Sequence, residues 1–427
     1  MLNSDKLINL RQTYLSPSMS LSYNEPLNIV KGKGQFLYDL NGKKYLDCVN
    51  NIQHVGHCHP KVVEASYKQS KILNTNTRYL NSLIIEYAKE LTDTLPEGLD
   101  ICFFTNSGSE ANDLALRIAR YITQSKETII LEDAYHGNLT SLIEISPYKY
   151  NGKGGDGPPK FVHTIPRPDN FRGKYRGNNT GDKYANEVKK IVKKIQNDRN
   201  TFPVFFVEPL MGCAGQLIFP NGFLKQAFDI VRKAGGVCIA DEIQIGFGRV
   251  GSHFWGFESE EVIPDIVTMG KSMGNGHPLS AVITTKEIAD SFNNGMEYFN
   301  SFGGNPVSCS VGKAVLSVIK TEGLQENAKV SGAYLFKKLS DLKSKHKLIG
   351  DVRGRGLFIG IELIKGDDLS PATVEANQII NKMKDIGILL STDGPDQNVI
   401  KIKPPMVFTI ENANHLFESI DKLIELL

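Results

Sequence analysis

Two stretches decide how this chain folds: VCIADEIQIGFGR, residues 237–249, and DIVTMGKSMGNGHPLSAVIT, residues 265–284. In each, an apolar run of strand length gives way to a charged side chain, Asp241 in the first and Lys271 in the second. Gly274 and Gly276 follow the lysine and let the backbone turn sharply. Working outward, runs of the same kind recur at ICFFT (101–105), TIILE (128–132), PVFFV (203–207) and SAVIT (280–284). Between them, Ala111, Leu114, Ala115, Ile118 and Ile122 repeat at helical spacing, as do Phe223, Ala227, Ile230 and Val231. Strand alternating with helix predicts an α/β fold with a mainly parallel sheet covered on both faces.

Upstream, Asn41-Gly42 joins QFLYDL to KKYLDCV, a hairpin signal. Residues 146–185 break the rhythm with glycine, proline and cations, and read as one long excursion within a domain. After about residue 310 the pattern becomes helix, strands such as LFIGIEL, then helices. The division expected is an N-terminal segment, 1–50, packing with a small α+β domain, 310–427, and a large domain, 51–309. A chain of 427 residues has room for both domains.

Composition excludes several classes. Hydrophobic residues make up 41% and charged residues 22%, ordinary for a soluble protein. A formal charge of +2 gives no global field to attract nucleic acid or an anionic membrane. No apolar run reaches the roughly 18 residues of a membrane span. The six cysteines show no CxxC pairing and are expected reduced, in an intracellular compartment; cytoplasm and mitochondrion both stay open.

In open α/β sheets, ligands sit beyond the carboxyl ends of the strands. That rule selects Asp241, Lys271, Glu208 after PVFFV, and the turn Ser107-Gly108-Ser109 after ICFFT. The turn opens an amphipathic helix, whose free N–H groups favour a phosphate, although in isolation simple N-capping is the stronger reading. A lysine desolvated at a strand end becomes a Schiff-base nucleophile, while a lone lysine is ordinarily a solvated charge. Phosphate turn, aspartate and lysine together describe a site for pyridoxal phosphate.

Those residues carry a resemblance. IADEIQIGFGR (239–249) and TMGKSMGNGHPLSAV (268–282), with TNSGSEAN (105–112), AYHG (134–137) and FGGNP (302–306), resemble the class III aminotransferases, which are pyridoxal-phosphate enzymes of fold type I. The resemblance covers nearly the whole chain. It implies that Lys271 holds the cofactor aldehyde and returns as the proton-moving amine, and that Asp241 contacts the pyridine nitrogen. Tyr135 would stack on the ring, with His136 and Glu208 beside it, and Gln244 would reach the ring hydroxyl. Ser107, Gly108 and Ser109 would bind the phosphate, and Ser301, standing where the family has threonine, would reach the neighbouring subunit's phosphate. A homodimer with shared active sites follows from the resemblance, a larger oligomer staying open.

Two departures bear on substrate. Where the family carries an arginine in an IRFAPP-like motif, this chain reads VIKIKPPM (399–406), with Lys401 at the arginine's place and Lys403 as a second cation. Where the family often carries glutamate in EPxQGEGG, this chain reads EPLMGCAG (208–215), with Cys213 instead. Lysine cannot form the planar fork that holds a carboxylate in one orientation. The site therefore suits an amine without an α-carboxylate, or one carrying another anion. Arg167, Arg172, Lys174 and Arg176 crowd the excursion and offer cations for such an anion, Arg172 and Lys174 first, although a run of this kind is also what a solvated loop looks like.

With NNIQHVGHCHP, LNTNTRYL, SPYKY, RPDNFRGKYR and DGPDQNVIKIKPPM, the chain resembles a narrower group, the ethanolamine-phosphate phospho-lyases and their 5-phosphohydroxylysine-cleaving relatives, once labelled alanine–glyoxylate aminotransferase-like. That resemblance implies elimination of phosphate from phosphoethanolamine, with phosphohydroxylysine elimination and true amino-acid transamination as alternatives. HVGHCHP (54–60) imitates a metal motif, but adjacent side chains cannot readily share one tetrahedral ion, and no metal is expected there.

Overall fold

The structure, a computed structural model, describes residues 4–199 and 201–426. Its centre is a seven-stranded sheet in the order Ile101–Thr105, Ser280–Thr284, Ile266–Met269, Val237–Asp241, Val204–Val207, Thr128–Leu131, Val162–Ile165. All pairings are parallel except those of Ser280–Thr284, which runs antiparallel to both neighbours. That strand returns directly after the lysine loop, without the crossover helix that a parallel connection needs.

Period-2 alternation divides the sheet's side chains between two cores. Val204, Phe206 and Ile239 face one core, which they share with Ala111, Leu114 and Ile118 of helix Gly108–Thr123. Phe205, Val207, Cys238 and Ala240 face the other, against Ala227, Phe228 and Val231 of helix Phe223–Lys233. Both faces are buried, so the strands read as continuous apolar runs. This is the expected mainly parallel α/β fold.

One sequence expectation needs correcting. The 146–185 excursion is not wholly irregular: it contributes the edge strand Val162–Ile165, and helix Gly181–Arg199 begins inside it. His163 and Thr164 are only half-buried, so this edge strand lacks the apolar continuity that marks the central ones.

The hairpin at Asn41-Gly42 forms, pairing Phe36–Asp39 with Lys44–Asp47, and Gly42 takes φ +81°. Lys44–Asp47 then pairs in parallel with Ile388–Leu389. The C-terminal region builds a second antiparallel sheet from Ile349–Arg355, Phe358–Lys365, Val399–Ile402 and Ser391–Asp393. Among the described residues, no helix is long and apolar enough to cross a membrane.

Candidate active site

The parallel pairing of Val237–Asp241 with Ile266–Met269 and Val204–Val207 sets Asp241, Lys271 and Glu208 on one rim. Two antiparallel steps bring the end of Ile101–Thr105 to the same rim. A cavity of about 140 Å³ opens there, lined by Ser107, Gly108, Ser109, Asn112, Tyr135, His136, Gly137, Asp241, Ile243, Gln244 and Lys271.

Asp241 is buried, with partners on both carboxylate oxygens and acceptor capacity left on Oδ1. Its Oδ2 accepts from Asn112 Nδ2 at 2.8 Å and pairs with His136 Nδ1 at 2.9 Å, while Oδ1 accepts from the Ile243 amide at 3.2 Å. Those donors hold the carboxylate in one orientation at the cavity wall. Asn112, not singled out from the sequence, also donates to the His136 carbonyl at 2.6 Å. Its signal was present: an amide four residues after Gly108, inside the apolar stripe of a helix, asks for a buried partner. Glu208 is buried behind this group, accepting from the Gly212 amide at 3.0 Å and the Tyr135 amide at 3.3 Å. Burial pushes its carboxyl above the usual range, partly offset by His136.

Lys271 follows Gly270, which is extended, and itself takes φ +40°, the left-handed region. A non-glycine residue there is strained, and the strain aims the side chain. Desolvation by burial, with the nearby Lys401 charge, pushes the amine below the ordinary lysine range, against the pull of Asp241 and Glu208. An amine so placed is more readily neutral and nucleophilic.

The turn Ser107-Gly108-Ser109 opens the helix Gly108–Thr123, and its hydroxyls serve the chain. Ser107 caps the helix through Glu110 N at 3.2 Å, and Ser109 Oγ accepts from Asn138 N at 3.0 Å. A Cβ on Gly137 would stand 2.8 Å from Ser109 Oγ, so the floor beside that hydroxyl is clear because residue 137 is glycine. Amine, carboxylate, helix N-terminus and cleared floor together fit pyridoxal phosphate: Lys271 could take the aldehyde, Asp241 the ring nitrogen, and Ser107, Gly108 and Ser109 the phosphate.

The other candidates lie outside this cavity lining. Ser301 is exposed. Arg172 is held by Glu362 and, at 2.7 Å, by Asp396; Arg353 pairs with the same Glu362 at 2.6 Å. Lys174 pairs with Glu187 at 3.1 Å on the surface. Lys401 pairs with Asp393 at 3.3 Å. All three cations therefore already have carboxylate partners. Cys213 is half-buried, and desolvation with the Asp393 charge pushes its thiol up to about 12, so it is uncharged at neutral pH.

The histidines of HVGHCHP have separate partners. His57 pairs with Asp47 at 2.7 Å and His59 with Glu322 at 3.2 Å. His54 is fully buried, its Nε2 2.7 Å from the Phe247 carbonyl and its Nδ1 facing the buried Arg249 guanidinium at 3.2 Å. Desolvation and Arg249 lower its pKa from 6.5 to about 3. The unfolded chain takes up this proton below 6.5 and the folded chain resists until about 3, so His54 stabilises at neutral pH and loses that contribution as pH falls through this window. Urea unfolding at about pH 7 and about pH 5 should show His54→Gln losing less stability on acidification than the parent, by about 2 kcal/mol. Equal losses would remove His54 from the pH dependence.

The family model described as "Aminotransferase class-III" matches residues 19–424. A Drosophila melanogaster protein named alanine–glyoxylate aminotransferase 2-like is 48% identical over 97% of this chain and 85% of its own length. A Caenorhabditis elegans protein named ethanolamine-phosphate phospho-lyase homolog 1 is 42% identical over 100% of this chain and 94% of its own. Among solved structures, an Arthrobacter phospholyase in complex with phosphoethanolamine superimposes with TM-score 0.94 at 40% identity, covering 99% of this chain and 100% of that one.

The chain belongs to the class III aminotransferase family. Its fold is the fold type I architecture of pyridoxal-phosphate transferases, and its cofactor is pyridoxal phosphate.

Proposed function

We propose that this protein is a lyase that eliminates phosphate from O-phosphoethanolamine, giving acetaldehyde, ammonia and inorganic phosphate with the uptake of one water. The observation that carries this reading is the ion pair of Lys401 with Asp393 beside the neutral Cys213: the place of the family's carboxylate clamp holds a lysine whose charge is already matched. An amino acid's α-carboxylate would have to displace Asp393, whereas phosphoethanolamine has none. The phosphoethanolamine complex of the Arthrobacter relative supports the same substrate.

Pyridoxal phosphate, when bound, supplies an electron sink for the carbon bearing nitrogen. Asp241, held by Asn112 and His136, keeps the ring nitrogen protonated. The Lys271 amine takes the proton from that carbon, the C–O bond to phosphate breaks, and phosphate leaves with the electron pair. Water then releases ammonia and acetaldehyde. Ser301, exposed on the single chain, serves the second site of a homodimer. We place it in an intracellular setting, cytoplasm or mitochondrion, where its six cysteines would stay reduced.

The test gives cofactor-loaded enzyme phosphoethanolamine, 5-phosphohydroxylysine, or alanine with glyoxylate. Phosphate release from phosphoethanolamine without any keto acid is expected. Release from phosphohydroxylysine alone would reassign the substrate, and pyruvate formed only with glyoxylate would overturn the lyase reading. Asp393→Asn, which frees Lys401, is expected to raise reactivity with alanine about tenfold, the worth of one charged hydrogen bond. No gain would discard the ion-pair argument while leaving the substrate assay to stand on its own.

A further inference from the structure

Lys403 is fully buried one residue after the strand Val399–Ile402, and no carboxylate lies within ion-pair distance of it among the described residues. Its amine stands over Phe358, with Nζ 4.6 Å from the ring centroid. The polar partner of that amine is Gln244, whose Oε1 accepts from Nζ at 3.0 Å. Asn51 Nδ2 converges on the same oxygen at 3.3 Å. Gln244 Nε2 is left with Cys213 Sγ at 3.7 Å, a weak acceptor, although Gln244 lines the cavity with Lys271 and Asp241. The backbone is cleared for this pair: a Cβ on Gly212 would stand 2.8 Å from Gln244 Nε2 and 3.0 Å from Lys403 Nζ.

An amide fits its space equally well in two orientations, and its neighbours choose between them. Two donors on one side put the oxygen there and turn the NH₂ the other way. We propose that Lys403 is a positioning residue that fixes the Gln244 amide, oxygen toward Lys403 and Asn51, NH₂ toward the ring oxygen of the cofactor. A donor facing that oxygen favours its ionised form. Gln244 with its oxygen turned inward would repel it.

Lys401, Asp393, Cys213 and Lys271 are the charged or titratable groups around Lys403. Desolvation, with Lys401 next, pushes the Lys403 amine down to about 7. A neutral amine keeps two N–H bonds, so the donor to Gln244 survives on both sides of that value.

The experiment follows the absorption of the cofactor-loaded enzyme against pH. Lys403→Met keeps length and the contact with Phe358 and removes the donor. Its expected effect is a rise of about one pH unit, tenfold in proton affinity, in the midpoint of the cofactor's spectral transition. Lys403→Gln, which can turn an NH₂ to Gln244, should recover part of it. In a Gln244→Ala background, Lys403→Met should move nothing further, because the effect runs through the amide. An equal shift in both backgrounds would show a bare field effect and overturn the proposal, as would an unmoved midpoint with cofactor bound. Should Lys403→Met not fold, the Lys403→Gln comparison across the two backgrounds decides between the amide and the field in the same way.

Discussion

Lys271→Ala should lower phosphate release by about four orders of magnitude, the upper range for removing a positioned acid–base group. The cavity offers no second amine in its lining, and the nearest lysines are engaged elsewhere, Lys401 with Asp393 and Lys403 with Gln244. Cofactor should still enter, since Asp241, Ser107 and Ser109 are untouched, but it should wash out on gel filtration. Borohydride reduction of the parent enzyme followed by peptide mass analysis should place the cofactor on Lys271. Attachment to another lysine, or an unchanged rate in Lys271→Ala, would move the chemistry elsewhere. Thermal stability should stay within about 1 kcal/mol, because the substitution removes a desolvated amine and leaves the backbone at the same φ.

The second large effect belongs to Asp241. Asp241→Asn is expected to lower turnover by about two orders of magnitude, on the scale of a buried charged hydrogen bond lost and a donor left unmatched. The geometry makes the reason specific. Oδ2 receives Asn112 and His136 together, and Oδ1 receives the Ile243 amide. An asparagine must turn its NH₂ toward one of these donor sets, and it carries no charge to keep the cofactor's ring nitrogen protonated. The Asn112→Ala variant should fall between Asp241→Asn and the parent, since it removes a donor that orients the carboxylate without removing the charge. Single-turnover rates would show this order; parent-like rates in Asp241→Asn would detach Asp241 from the ring.

Much of this site was legible because its parts are local. A strand end, the residue after it and a helix N-terminus are all short-range patterns, and one rule about parallel sheets joins them. Hence Asp241, Lys271, Glu208 and the Ser107–Ser109 turn fall on one rim as expected. The edge strand Val162–Ile165 was hidden because its half-buried His163 and Thr164 interrupt the apolar run. Asn112 shows in the sequence as an amide needing a buried partner, but its partners, Asp241 and the His136 carbonyl, come from packing between distant segments.

By itself the sequence determined the central strands, the helices between them and the residue types at the strand ends, because side-chain periodicity and the direction of a strand need no distant partner. Tertiary structure alone decided which charges remain available. Asp393 reaches Lys401 because Ser391–Asp393 pairs antiparallel with Val399–Ile402 in a register that places Asp393 opposite Val399, one diagonal step from Lys401 on the same face. Arg172 meets Glu362, and Lys403 meets Gln244, across long stretches of chain. A sequence displays a charge, but its partner depends on register and packing between segments far apart, and that partner settles whether the charge can hold a ligand.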